Sequence, residues 1–353
     1  MAAARRTRTV EIVETDRVEG FAHPRQTQTL AGQDAALASA ARAIRAGRTP
    51  QAWLIAGPPG IGKATLAYRI ARYLLAYGAT AEGPQDLSVP EKSPAAAQVA
   101  AGSHPGLLAL KRSVNPNTGK LMSVLSVDEI RRLGGFFGLT SGAGGWRVAI
   151  VDTADDMSEA AANALLKLLE EPPSRAMLLL VANMPGRLLP TIRSRCQRLD
   201  LRPLDAATMD AELKRLLPQA DAKERASLAR LSGGSLGLAL KFAGGEGTEL
   251  AAEADRLIDS APAPDIPALL AFADRLARMT DGLEDFGTFL TQAVSERIRA
   301  KAGKGARLDR WVEAWEALNR SFTRSTALYL DPRQTVLSAS RTLGGAARRA
   351  GTI

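Results

Sequence analysis

Residues 57–67, GPPGIGKATLA, have the types and spacing that bind the phosphates of a nucleotide. Gly57, Gly62 and Lys63 fit the phosphate-binding loop, in which backbone N–H groups surround phosphate oxygens and a lysine reaches the outer phosphates. The helix that follows such a loop adds the positive end of its dipole. We expect a site for ATP or ADP with magnesium, built from Gly57, Pro58, Pro59, Gly60, Ile61, Gly62, Lys63, Ala64, Thr65 and Asp152.

Two groups that a hydrolysing site needs are missing from this pattern. The residue after the lysine is Ala64, which offers magnesium no hydroxyl. Thr65 does not replace it, because a helix turns about 100° per residue and presents Thr65 on a different face. Asp152 can hold magnesium through water, but Thr153 follows it and is no carboxylate base at neutral pH. The sequence predicts a site that binds nucleotide without hydrolysing it.

The elements that position this site follow from the apolar pattern. Short apolar runs predict buried parallel strands at WLIAG (53–57), GLLAL (106–110), RVAIVD (147–152), MLLLVAN (177–183) and RLDL (198–201). Between them lie helix patterns such as KATLAYRIARYLL, in which Leu66, Ile70 and Leu74 recur every four residues. Strands that alternate with helices in this way predict a doubly wound α/β domain.

Other segments carry weaker signals. SEAAANALLKLLEEPP predicts a helix that Ser158 caps and that Pro172 and Pro173 end. Residues 78–105 have no periodicity, which predicts a long surface insertion. After about residue 205 the chain shows only helical patterns, and the tail SRTLGGAARRAGTI is expected to fray. We divide the chain near residues 205 and 250.

Composition limits the classes of function. The 353 residues carry a formal charge of +9, which leaves open both an anionic partner such as nucleic acid and no such partner. A single cysteine, Cys196, and two histidines, His23 and His104, predict no metal site. No run approaches the ~20 apolar residues of a membrane span, and the start lacks the apolar core of a secretion signal. We expect a cytoplasmic protein without a membrane partner.

Several stretches together resemble a known family. They are GRTPQAWLIAGPPGIGKATLAYRIARYLL, HPGLLAL, the run from VAIVDTADD to RLDLRPL, and LYLDPRQTVL. In this order they resemble the bacterial clamp-loader subunits of DNA polymerase III, most of all the delta-prime group. ALLKLLEEPP and LLPTIRSRC are more specific signals than the phosphate loop, and the resemblance covers nearly the whole chain.

The resemblance implies a fold, a function and partners. It implies an AAA+ P-loop domain at residues 1–205, a parallel sheet flanked by helices, then a small helical lid at 206–250 and an all-α collar at 251–353. It also implies a hetero-pentameric ring of clamp-loader subunits that loads a sliding clamp onto primer-template DNA. The family's Ser-Arg-Cys motif matches Ser194, Arg195 and Cys196, so Arg195 is expected to reach ATP bound by the neighbouring subunit. An arginine finger of this kind accelerates phosphoryl transfer by about 10³ to 10⁵.

Departures from the family pattern indicate the type of subunit. The motor subunits of the family keep the loop hydroxyl, an Asp-Glu pair and a lid arginine, where this chain has Leu236 and Gly237. Many relatives carry a four-cysteine zinc module that this chain lacks, so no zinc is expected. The resemblance therefore implies a subunit whose own ATPase is weak or absent, in a holoenzyme whose nucleotidyltransferase is another subunit. Two alternatives stay open: an active gamma/tau-like motor, and a basic nucleic-acid-binding protein with a vestigial loop.

Overall fold

The structure, a computed structural model, describes most of the chain. It describes residues 18, 20–113, 122, 124–138, 145–243, 246–279, 281–302, 308–328, 330–351 and 353. The contacts between residues divide the chain into two compact units. The first consists of Met1–Glu212 with Gly234–Gly237, and the second consists of Leu213–Gly233 with Leu238–Ile353.

The first unit is built on a parallel sheet. In the described residues its strands are β1 (Ala52–Ala56), β2 (Leu107–Leu110), β3 (Arg147–Asp152), β4 (Ala176–Ala182) and β5 (Gln197–Asp200), and they lie in the order β2-β3-β4-β1-β5. All described pairings between them are parallel. Each strand falls on an apolar run of the sequence, which confirms the predicted α/β class.

Helices pack on both faces of this sheet. Successive strand residues point to opposite faces, and since both sets are apolar, each face needs a cover. Trp53 and Ile55 join one hydrophobic cluster, and Leu54 joins the other. The first cluster contains side chains of α1 (Asp34–Arg45), α2 (Lys63–Tyr77) and α3 (Pro94–Ala101). The second contains side chains of α4 (Val127–Gly138), α5 (Glu159–Glu170) and α6 (Pro190–Arg193). Because the strands are parallel, their carboxyl ends lie at the same end of the sheet. The phosphate loop begins there, directly after β1.

The prediction of a surface insertion at residues 78–105 is wrong. Leu87 and Val99 are fully buried in the first cluster, and α3 lies inside this segment. Ser93 caps α3 by accepting a hydrogen bond from the Ala96 amide at 3.2 Å. The helix is short and alanine-rich, so its few buried positions do not form a recognisable hydrophobic periodicity in the sequence.

The second unit is helical in its described residues. Two helices contain residues of both units, namely α7 (Ala206–Leu216) and α9 (Leu236–Phe242). The remaining helices belong to the second unit alone: α8 (Ala222–Ser232), α10 (Glu246–Asp259), α11 (Ile266–Leu276), α12 (Gly282–Lys301), α13 (Asp309–Leu328) and α14 (Pro332–Ala350). Its core includes edge-to-face rings, with Phe286 at 4.7 Å from Phe272 and 6.0 Å from Phe322 between centroids. The helical composition expected after residue 205 is thus found.

The expectation of a frayed tail is wrong for the described part of SRTLGGAARRAGTI. Helix α14 continues to Ala350, and Leu343 is fully buried. The indole N–H of Trp311 donates to the Gly351 carbonyl at 2.9 Å, which holds the end of the helix. The tail is ordered by tertiary packing that its glycines and alanines did not indicate.

The boundaries between domains are less sharp than the sequence divisions. The two units meet in sequence near residue 212, and helix α10 runs through residue 250. The finer division into a lid at 206–250 and a collar at 251–353 stays a prediction. Within the part of the chain that the structure describes, no helix is long and apolar enough to cross a membrane.

Candidate functional site

The loop between β1 and α2 has the backbone that the phosphate-binding pattern predicts. Gly62 has φ +98°, a left-handed conformation, and a Cβ there would lie 2.8 Å from the Leu30 side chain. A Cβ at Gly57 would lie 2.7 Å from the Leu201 carbonyl oxygen. Only glycine fits these two positions without a shift of the neighbouring atoms. The amide of Gly57 also donates to the Ala182 carbonyl at 3.2 Å, which ties the loop to the end of β4.

Lys63 lies over this loop and is 5% exposed. Its ammonium group donates to the Pro58 carbonyl at 2.5 Å. Burial lowers the pKa of Lys63 from 10.5 to about 8, against the smaller opposing effect of the carboxylates of Asp152 and Asp155. Burial therefore destabilises the charged form of this lysine, and an anion bound in the loop would stabilise that form and raise the pKa again.

The groups beside Asp152 are engaged in structural hydrogen bonds. The Thr153 hydroxyl donates to the Asp156 carboxylate at 2.5 Å. The Asp155 carboxylate accepts from the Asn183 amide at 3.1 Å and the Met184 amide at 2.7 Å. These bonds fix the turns that follow β3 and β4, so neither carboxylate is held ready as a base for water. Asn183, which directly follows β4, is a polar residue at this end of the sheet that the sequence pattern did not single out.

A second turn, at residues 235–237, contacts the loop, and no local pattern predicts this contact. The amide of Gly237 donates to the Gly60 carbonyl, and the Ser235 hydroxyl donates to the Pro59 carbonyl, each at 2.8 Å. A Cβ at Gly237 would lie 2.8 Å from the Gly60 Cα. Together with the bond from Lys63, the carbonyls of residues 58, 59 and 60 each accept a donor from this chain. Both donors of this turn are therefore engaged by the loop, and the turn itself carries no arginine at residues 233–237.

The buried lysine makes stability depend on pH in a defined window. The folded-state pKa of about 8 lies below the unfolded value of 10.5, so the unfolded chain binds more protons between these values and stability rises with pH there. We expect the free energy of unfolding of the wild type, minus that of Lys63→Met, to rise by up to roughly 3 kcal/mol between pH 8 and 10.5. Urea unfolding of both proteins measures this difference, in which all other titrations cancel. A difference that stays constant or falls would contradict the assigned pKa direction.

The Ser-Arg-Cys motif lies between α6 and β5. One terminal nitrogen of Arg195 donates to the Thr191 carbonyl at 3.1 Å, and the other donates to the Glu170 carboxylate at 2.9 Å. The Ser194 hydroxyl also donates to the Thr191 carbonyl, at 3.1 Å. Cys196 packs against the second hydrophobic cluster, and burial raises the pKa of its thiol to about 12. Its role is packing, since a protonated thiol is a poor nucleophile.

Arg195 and the phosphate loop lie at opposite ends of the sheet. Arg195 lines a cavity with Gln51 and Ala176, which stand at the beginnings of β1 and β4. The loop begins at Gly57, directly after the end of β1. Five strand residues span about 16 Å at ~3.3 Å each. The arginine and the loop of one chain are therefore too far apart to act on the same phosphate.

Metal ligands are sparse in the structure. Among the described residues, no group of three or more His, Cys, Asp or Glu side chains is arranged to hold a metal ion. Ala64 and Thr65 are both half-buried at the start of α2, and the hydroxyl lies on the second of them. The loop's glycines and Lys63 are of the types that hold phosphates, and the hydroxyl that magnesium would use is absent from position 64.

Comparison with known proteins assigns the chain to a family. Residues 32–205 match the family described as DNA polymerase III, delta subunit. The chain is similar to the DNA polymerase III delta' subunits of Pseudomonas aeruginosa, at 40% identity over 52% of this chain and 53% of the relative, and Escherichia coli, at 36% identity over 57% of each. It is also similar to the gamma/tau subunit of Mycobacterium tuberculosis, at 32% identity over 56% of this chain and 32% of the relative.

The family match lies within the first unit and confirms the predicted family, while the share of the chain that the delta' relatives match is about half, not nearly the whole chain as the resemblance suggested. The chain spans about half the length of the delta' relatives that it matches. The AAA+ fold expected from the resemblance agrees with the parallel sheet, the phosphate loop and the helical region that follows them. The chain belongs to the delta-prime family of DNA polymerase III clamp-loader subunits.

Proposed function

We propose that this protein is a clamp-loader subunit that does not hydrolyse ATP itself and that donates Arg195 to ATP bound by a neighbouring motor subunit. The single observation that carries the proposal is the separation of Arg195 from the phosphate loop across the length of β1. An arginine at that end of the sheet cannot reach a phosphate in its own loop. In a ring, the same end can face the loop of the next subunit.

The chemistry of the donated guanidinium supports this role. Negative charge develops on the transferred phosphoryl group as ATP is hydrolysed, and a positioned arginine neutralises that charge. The Arg195 side chain is 38% exposed on the surface of the first unit, where a second subunit can approach it. Ser194 is also exposed, while Cys196 anchors the motif in the core.

The proposal gives the chain's own loop a binding role. The backbone N–H groups of residues 60–63 and the Lys63 ammonium would hold the phosphates of ATP or ADP, and Asp152 would hold magnesium through water. A bound nucleotide would supply negative charge that offsets the burial of Lys63. Ala64 and Thr153 stand in the two catalytic positions, and neither side chain can activate water.

The relatives' names suggest the partners. They are delta' and gamma/tau subunits of DNA polymerase III, so we propose that this chain assembles with other clamp-loader subunits into a hetero-pentamer in the cytoplasm. The pentamer would load a sliding clamp onto primer-template DNA. The lid at 206–250 would connect the nucleotide domain to the collar at 251–353, through which the subunits would associate.

An active motor subunit is the second candidate. The 32% identity with a gamma/tau subunit over 204 residues favours it. Three features oppose it: Ala64 at the hydroxyl position, Thr153 at the glutamate position, and the turn at Leu236 and Gly237 without an arginine. Each removes a separate part of the hydrolytic machinery, so the non-hydrolysing role fits the chain better.

Reconstitution tests the proposed function. Clamp loading onto primed DNA is measured with the other subunits of the same complex, with and without this chain. We expect loading to require the chain, and we expect the chain added without motor subunits to support neither loading nor hydrolysis. Full loading in its absence would overturn the clamp-loader role, and hydrolysis by the chain alone would favour the motor.

A further inference from the structure

The two most specific motifs of the sequence meet at one ion pair. Helix α5 ends at Glu170, directly before Glu171 and the two prolines that stop it. The Glu170 carboxylate accepts a hydrogen bond from one terminal nitrogen of Arg195 at 2.9 Å. Twenty-five residues separate the two partners in the sequence. The stop of α5 thus determines where the carboxylate lies relative to the arginine.

The guanidinium of Arg195 is held at two points by its own chain. Glu170 holds one terminal nitrogen, and the Thr191 carbonyl holds the other at 3.1 Å. The side chain also lines the cavity beside Leu168 and Leu169, the last turn of α5. An arginine side chain has many rotamers, and a docking partner has to immobilise them. A carboxylate that selects one direction in advance reduces that loss.

The exposure of the pair argues against a role in stability. The side chains of Arg195 and Glu170 are 38% and 51% exposed. Exposed ion pairs between charged side chains contribute little to folding, because water solvates and screens both charges. The pair therefore contributes little to folding, and its hydrogen bond is left as a constraint on the Arg195 side chain.

We propose that Glu170 is a positioning residue for Arg195, holding the guanidinium in the direction from which it reaches a neighbouring subunit's phosphate. This inference rests on the proposed function, since it concerns the same arginine. Glu170 itself touches no reacting atom. It acts by limiting the rotamers of Arg195 through the hydrogen bond between the two side chains.

The test uses four variants in the reconstituted complex. They are Glu170→Gln, Arg195→Ala, the double variant, and Glu171→Gln as the matched control, since Glu171 is an exposed neighbouring carboxylate that follows α5. Single-turnover phosphate release is measured as a time course. The affected interface then gives a slower phase, and the other interfaces keep their rates. The ATP concentration dependence gives kcat and KM, and thermal unfolding of each variant monitors the fold.

We expect Glu170→Gln to lower kcat at that interface about fivefold, with KM for ATP and the unfolding temperature unchanged. Glu171→Gln should behave as the wild type. The double variant should match Arg195→Ala alone, because Glu170 acts only through the arginine.

The outcomes distinguish this inference from the proposed function. If Arg195→Ala slows release and Glu170→Gln leaves it unchanged or faster, the positioning role is wrong and the arginine finger stands. Equal effects of Glu170→Gln with and without Arg195 would also overturn it. If Arg195→Ala has no effect in a fully assembled complex, the finger is wrong and the role of Glu170 falls with it.

Discussion

Replacing Arg195 with alanine in an assembled complex is expected to slow ATP hydrolysis at one interface by about 10³ to 10⁵. The reason is the loss of a guanidinium from the charge that develops on a neighbour's phosphoryl group. Total turnover falls only in part, because interfaces with other arginines continue. Clamp loading falls further if every site has to hydrolyse.

The fold should tolerate this change. Arg195 is exposed, and surface substitutions cost within about 0.5 kcal/mol of unfolding free energy. Arg193→Ala is the matched control, since Arg193 is an exposed arginine two residues away, at the end of α6. Steady-state ATPase and clamp loading are measured for both complexes. Unchanged activity of the Arg195 variant, or an equal loss with Arg193→Ala, would contradict the finger assignment.

The isolated chain is expected to hydrolyse ATP negligibly, even with primed DNA present. Ala64 offers magnesium no hydroxyl, and Thr153, which donates its hydroxyl to Asp156 at 2.5 Å, is no carboxylate base. An ordinary enzyme turns over at about 1 s⁻¹ or faster, so a motor is easily distinguished. Phosphate release is measured, with a motor subunit of the same complex as the positive control.

A repaired site should also stay nearly inactive. We expect Ala64→Ser combined with Thr153→Glu to restore little hydrolysis, because Leu236 and Gly237 would still leave the site without the lid arginine that the resemblance implies for a motor. DNA-stimulated turnover of the wild-type chain at about 1 s⁻¹ would contradict the non-hydrolysing role and identify a motor subunit.

Local patterns predicted the sheet and the loop well. RVAIVD corresponds to the whole of β3, and Ser158 caps α5 by accepting from the Ala161 amide at 3.2 Å. Both features depend on residues adjacent in sequence, namely an apolar run and a serine before a helix. The phosphate loop was equally readable, since Gly57 and Gly62 occupy positions that a Cβ would fill with clashes.

Contacts between distant segments were not predictable. The bond from Ser235 to the Pro59 carbonyl joins residues 176 positions apart, and no local pattern encodes it. The pairing of Arg195 with Glu170 is of the same kind. The burial of Leu87 was missed because its neighbours are polar and turn-forming, so tertiary packing decided against local composition.

A structure of the assembled complex with a non-hydrolysable ATP analogue shows whether Arg195 reaches a neighbour's nucleotide. We expect a terminal nitrogen of Arg195 to lie about 2.7–2.9 Å from a γ-phosphate oxygen of nucleotide bound by the neighbouring subunit, the distance of a charge-assisted hydrogen bond. In the same map, Glu170 should still contact the guanidinium. An Arg195 side chain that faces no nucleotide of the adjacent subunit in a correctly assembled ring would contradict the finger assignment.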